Sequence, residues 1–117
     1  KDLLADLEMQ SKYAKQMKYN LSEGFNELGQ TALKNERYKS AYKYFKESNE
    51  FNPNNTQNLQ DMAKMKELAT KFWAKSLELE QKGDKKAFSY WEAIISITDE
   101  TEELHKNASA KISGAGK

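Results

Sequence analysis

The sequence predicts an all-α fold, an array of antiparallel helical hairpins. Three observations carry this. Ala, Leu, Lys and Glu dominate the 117 residues, Val is absent and Pro occurs once, which is a helix-forming composition. Apolar residues recur at steps of three and four along most of the chain, the period of a one-sided helix. The chain also repeats itself: Ala87, Phe88, Tyr90, Trp91, Ile94 and Ile97 stand 46 positions after Ala41, Tyr42, Tyr44, Phe45, Ser48 and Phe51.

In chain order, the first helix is expected over about residues 2–34. Leu3, Leu7, Ala14, Met17, Leu21, Phe25, Leu28 and Ala32 share one of its faces. At 1.5 Å per residue it is about 50 Å long. A rival reading breaks it at Asn20, because Asn20-x-x-Glu23 has the spacing of a capping box, but the stripe keeps its phase through Asn20. The polar run Asn35-Glu36-Arg37 is short enough for a helix-to-helix turn. A partner helix follows over 38–51, with Tyr38, Ala41, Phe45 and Ser48 inward. Its Lys39, Lys43 and Lys46, with Tyr42 nearby, read as a solvated outer face, because no Arg joins them and there is no wider basic field to hold phosphate.

Pro53 cannot continue a helix, and Thr56 is placed to cap the next one. That helix is expected over 57–82, with Met62, Met65, Leu68, Ala69, Phe72, Ser76 and Leu79 on one face and a turn at Gly83-Asp84. A fourth helix covers 85–97. Asp99-x-x-Glu102 can cap a fifth over 100–112, whose Leu104, Ala108 and Ile112 face inward and cover the end of the array. Residues 113–117 are expected as a flexible tail, and 1–117 as a single domain.

The first hairpin carries a recognisable spacing: Phe25-x-x-Leu28-Gly29-x-x-Ala32, then Ala41-x-x-x-Phe45-x-x-Ser48, then Asn52-Pro53. Over about residues 22–55 this resembles a tetratricopeptide repeat. Small Gly29 and Ala41 let two helices approach closely, and Phe25, Leu28 and Phe45 fill the space between them. Phe25 stands where the family usually has Trp, and Ala32 where it has Tyr. A degenerate, extended second unit lies at about 57–99. Phe72, Ser76 and Leu79 there match Phe25, Gly29 and Ala32, while Lys75 replaces the Leu and Asp99 the Pro.

The resemblance implies a fragment of a right-handed solenoid with two unusually long helices. It implies a protein–protein interaction scaffold within a larger protein, binding through the face of the long helices. The groove positions carried over are Glu23, Asn26, Gln30 and Leu33 from the first unit, and Thr70, Trp73 and Leu77 from the second. Neutral Asn26 and Gln30 with acidic Glu23 do not make a clamp for a carboxylate terminus, so a segment bearing apolar side chains is the expected partner. Trp73 and Leu77 widen the apolar arc of their helix to about 180°, beyond the ~100° of one packing face. Either the first long helix packs over Trp73 as core or a partner does. The alternative function is structural: two hairpins are fewer than the about three repeats a stable array needs, and a homodimer through residues 2–21 would supply the deficit.

The rest of the sequence excludes more than it suggests. The balance of 19 basic and 18 acidic residues leaves +1, which argues against nucleic-acid binding by bulk charge. There is no Cys, and His105 is the lone His, expected at the surface, so no zinc or other metal site is expected. Asp99, Glu100, Glu102 and Glu103 read as acids favoured at a helix N-terminus. Ser113-Gly114-Ala115-Gly116-Lys117 lacks the strand and the first glycine of a phosphate-binding loop. No nucleophile–base pair is spaced for catalysis, so neither an enzyme nor a cofactor is expected. The four Met residues are expected as core, and no run reaches the ~18 apolar residues of a membrane span. A start at Lys1 without Met is expected of a segment cut from a longer chain, and the absence of a signal peptide or lipid anchor from it proves nothing. Cytoplasm and a bacterial periplasm or cell envelope both remain open.

Overall fold

The computed structural model describes residues 3–115. Among these there are five helices and no strand: α1 (Leu3–Lys34), α2 (Tyr38–Phe51), α3 (Thr56–Gln81), α4 (Lys86–Ser96) and α5 (Glu103–Ala115). The expected start of α1 at Asp2 and the end of the expected tail, 116–117, lie outside the described residues. α1 passes through Asn20 without a break.

Two antiparallel hairpins, α1–α2 and α3–α4, build the body. In the first, backbone approach is set by Gly29. A Cβ there would overlap the edge of the Phe45 ring, 2.5 Å from Cδ1 and 3.1 Å from Cζ. Phe45 is itself fully buried, so the ring has nowhere to go. Phe25 closes the open side by stacking on Phe51, with centroids 5.6 Å apart, and on Tyr44 at 6.3 Å.

The internal repeat survives as a burial pattern. Ala41 and Ala87, Phe45 and Trp91, Ser48 and Ile94, Gly29 and Ser76, and Ala32 and Leu79 are all buried. Both hairpins also turn alike. After α1, Arg37 N–H donates to Ala32 C=O at 2.8 Å and Glu36 N–H to Leu33 C=O at 3.0 Å. After α3, Asp84 N–H donates to Leu79 C=O at 2.9 Å and Gly83 N–H to Glu80 C=O at 3.0 Å. This is the Schellman ending of a helix, which needs a left-handed residue. Gly83 supplies it at φ 69°, and Glu36 supplies it at φ 59°.

Two apolar clusters share the body. One joins Ala32, Ala41, Phe45, Met65, Ala69 and Ile97; the other joins Leu79, Ala87, Trp91, Ile94 and Ala108. Phe72 belongs to the edge of both, held edge-on between Tyr38 at 5.4 Å and Tyr90 at 5.5 Å. α5 lays Ala108, with half-buried Leu104 and Ile112, against α3 and α4.

Several expectations are corrected. Leu28 is not core: α1 buries Ser22, Asn26, Gly29 and Ala32 instead, a face rotated away from the leucine stripe. Met9 and Met17 are exposed, and only Met65 is buried core. Asn55, not Thr56, caps α3, its side chain accepting from Asn58 N–H at 3.1 Å. α5 begins three residues later than expected, because Asp99 accepts from Thr101 N–H and Oγ–H at 3.3 Å each and holds 99–102 in a turn. Residues 113–115, expected as tail, belong to α5. His105 is half-buried, with Nδ1 3.1 Å from Thr98 Oγ1.

Replacing Gly29 by Leu should lower stability by ~1–3 kcal/mol or more, because the added side chain meets a ring that cannot move. A rise in Tm would show that α1 and α2 are not held this close. Glu36→Gly should raise stability by about 1 kcal/mol, since only the left-handed backbone penalty is removed. Urea titration measures both.

Candidate interaction surface

α1 meets both α2 and α3 through polar side chains. Ser22 Oγ–H donates to the Ser48 carbonyl at 2.9 Å, and Ser48 Oγ–H donates back to the Ser22 carbonyl at 2.7 Å. Four residues on, Asn26 donates to Asn58 Oδ1 at 3.0 Å and to Asp61 Oδ2 at 2.9 Å. One further turn on, Gln30 donates to Asp61 Oδ2 at 2.9 Å. Asn58 donates to the Phe45 carbonyl at 2.8 Å, tying α3 to α2. Ser22, Asn26, Ser48, Asn58 and Asp61 are all buried. Burial pushes the Asp61 carboxyl up, but hydrogen bonds from Gln30, Asn26 and Gln57, with Lys64 3.5 Å away, outweigh it and hold the group below its ordinary value.

This network decides what becomes of the expected groove. Asn26 is 5 % exposed with its amide donating twice within the fold, so it presents nothing to a partner. Gln30 is exposed but spends its amide on Asp61. Leu33 packs at the edge of the first cluster, and Trp73 against the second, whose members come from α3, α4 and α5. The cover over Trp73 therefore comes from the second cluster and not from α1. Leu77 is half-buried; Glu23 and Thr70 are exposed, and Thr70 Oγ–H donates to the Lys66 carbonyl at 3.1 Å. The seven residues do not line one continuous free face.

A different surface stands out. Residues 3–21 of α1 run beyond the body and are exposed throughout. This arm is about 28 Å long at 1.5 Å per residue and stretches the molecule to 74 Å. Its apolar stripe has no cover: Leu3 is 75 %, Leu7 60 %, Met17 63 % and Leu21 40 % exposed. The signal was in the sequence as the first five members of the apolar stripe. A stripe on one helix does not show where the neighbouring helix ends, so the sequence leaves both packing within the fold and a homodimer through residues 2–21 open.

The other candidates are weaker. A hollow of about 570 Å³ at the α3–α4 turn is lined by Glu80, Ala87, Phe88 and Trp91. Trp91 Nε1–H is buried without an acceptor among the described residues, so it does not open onto that hollow. Lys46 lies over the Tyr42 ring at 5.4 Å and 3.8 Å from Asp99. Burial, then the charges of Glu102 and Asp99, push Tyr42 up to about 12. The expected solvated lysine face is thus partly neutralised by neighbouring acids. Among the described residues no group of three or more acidic or His side chains could hold a metal ion, and no helix is long and apolar enough to cross a membrane. No family model matches the chain, and neither a curated protein nor a solved structure matches it.

Because the Asp61 carboxyl sits lower in the folded than in the unfolded chain, the stability it confers is complete above its unfolded value. That stability should be lost as pH falls through the lower folded value. Asp61→Asn should lower stability near neutral pH by about 2 kcal/mol and flatten the acid limb of Tm against pH. An acid limb identical to that of the parent chain would remove Asp61 from the account.

Proposed function

We propose that this chain is a protein–protein interaction module within a larger protein, a tetratricopeptide-like pair of hairpins with extended first helices, acting by binding rather than catalysis. The single observation that carries this is the arm. Its exposed Leu3, Leu7, Met17 and Leu21 form one apolar stripe that the chain's own fold leaves uncovered. A contiguous apolar surface of this kind on a soluble body marks a place where another polypeptide packs. A helix presenting anchors at steps of three and four docks against another helix or into a groove. The reading keeps the long helices as the binding elements and moves the surface from the groove positions to the arm. The pairing of hairpin turns, the close Gly29–Phe45 contact and the repeated burial pattern support the tetratricopeptide-like architecture.

Affinity capture from source cells tests the reading, with the full chain, Leu7→Asp, Met17→Asp and the groove variant Thr70→Lys in parallel. The arm variants should lose captured protein by about tenfold or more, while the unfolding free energy stays within about 0.5 kcal/mol of the parent. Capture that responds to Thr70→Lys and ignores both arm variants would return the surface to the groove. Capture indifferent to all three would end the reading.

A further inference from the structure

We infer that the arm docks on the arm of a second copy of this chain, antiparallel, with Leu3 opposite Leu21, Leu7 opposite Met17 and Gln10 opposite Ala14. The inference rests on the interaction reading above and names the partner. It starts from the spacing: Leu3, Leu7, Gln10, Ala14, Met17 and Leu21 alternate steps of four and three, the seam of a two-stranded coiled coil. All six are exposed.

Charge selects the partner and the direction. Asp6 and Glu8 occupy the outer part of the arm, and Lys12, Lys15 and Lys18 the inner part. Two arms running antiparallel set the acidic segment of each beside the basic segment of the other. Two arms running parallel put acidic segment level with acidic segment and lysine segment level with lysine segment. At helix-to-helix separations of about 10 Å, within one screening length at 0.1 M salt, that difference is felt. The arm is therefore complementary to itself reversed. The antiparallel helix dipoles add in the same sense. Lys12 falls on the side away from the seam, so the two copies of it do not meet.

Length and composition fix the register. With Leu3 level with Leu21, pairing uses the whole exposed stripe and stops one residue short of Ser22, where burial against α2 begins. Large side chains then meet large ones at both ends, and Gln10 meets small Ala14 on either side of the two-fold axis. A single polar residue in such a seam penalises slipped registers. A slip by one heptad toward the body would set Leu7 against Gly24 and Glu8 beside Glu23. Packing also adds support to the arm, since most helical stability in proteins comes from tertiary packing of an apolar face rather than from propensity.

Light scattering on the full chain over a range of concentrations reads the state. Twice the 13.5 kDa chain mass is expected. Leu7→Asp should raise the dimer dissociation constant on the order of a hundredfold or more, since each copy then places a charge in the seam. Leu7 lies outside both core clusters, so Tm of the body reports that the variant still folds. Direction is read by cross-linking, which is clean because the chain has no Cys. Leu3→Cys mixed with Leu21→Cys should form a disulfide, and Leu3→Cys alone should not, its two sulfurs lying about 27 Å apart along the axis. Cross-linking of Leu3→Cys with itself would overturn the antiparallel pairing. A monomer at every concentration overturns self-docking. If that monomer still captures a cellular protein through Leu7 and Met17, the interaction reading survives the loss; if it captures none, both fall.

Discussion

Everything else in the body is arranged around a buried carboxylate that has to be satisfied. Asp61 is 2 % exposed and carries charge into the junction of α1 and α3. An unpaired buried charge is far more costly than any single apolar contact is worth. Asn26 and Gln30 of α1 and Gln57 of α3 therefore converge on it, and neighbouring Asn58 binds both Asn26 and the Phe45 carbonyl of α2. Hydrogen bonds are directional, so this set admits one register of α1, α2 and α3 where apolar contacts alone would tolerate several. The Ser22–Ser48 exchange pins the same register one turn away.

The network has a second effect, on the surface. Because Ser22, Asn26 and Gly29 must face inward, the leucine stripe of α1 is turned off the core, which is why Leu21 and Leu28 are exposed. One helix thus carries two faces with different tasks. A small and polar face, from Ser22 onward, fits the body tightly. An apolar face, running from Leu3, is left uncovered by the fold. Phe72, edge-on between Tyr38 and Tyr90, then joins the two hairpins where the polar set ends.

Most of the architecture could be read from residue order. Helix extents, the repeat from Ala41–Phe45 to Ala87–Trp91 and the close approach at Gly29 all rest on local periodicity or on side-chain size, which a sequence displays directly. The polar junction does not display itself in that way. Ser22, Asn26, Asn58 and Asp61 are residue types that are mostly exposed elsewhere. Nothing in one chain shows that an Asn on one helix will meet an Asp 35 positions later. A trace was present: Ser22, Asn26, Gly29 and Leu33 also step at fours and threes, beside the leucine stripe. Asn26, one of the groove positions, is buried for the same reason. A polar residue on an inner helix face serves the fold when a buried acid waits opposite.

The unbroken course of α1 makes the arm a lever with its fulcrum at this junction. No residue between Leu3 and Lys34 interrupts the helix, so the arm cannot turn independently of the segment lodged against α2 and α3. A reorientation of that segment by about 10° would sweep the tip through about 5 Å over the length of the arm. Two side chains of that segment, Asn26 and Gln30, are held by Asp61. Any small shift of the lodged segment is in this way magnified at the far end of the molecule, where the apolar stripe lies.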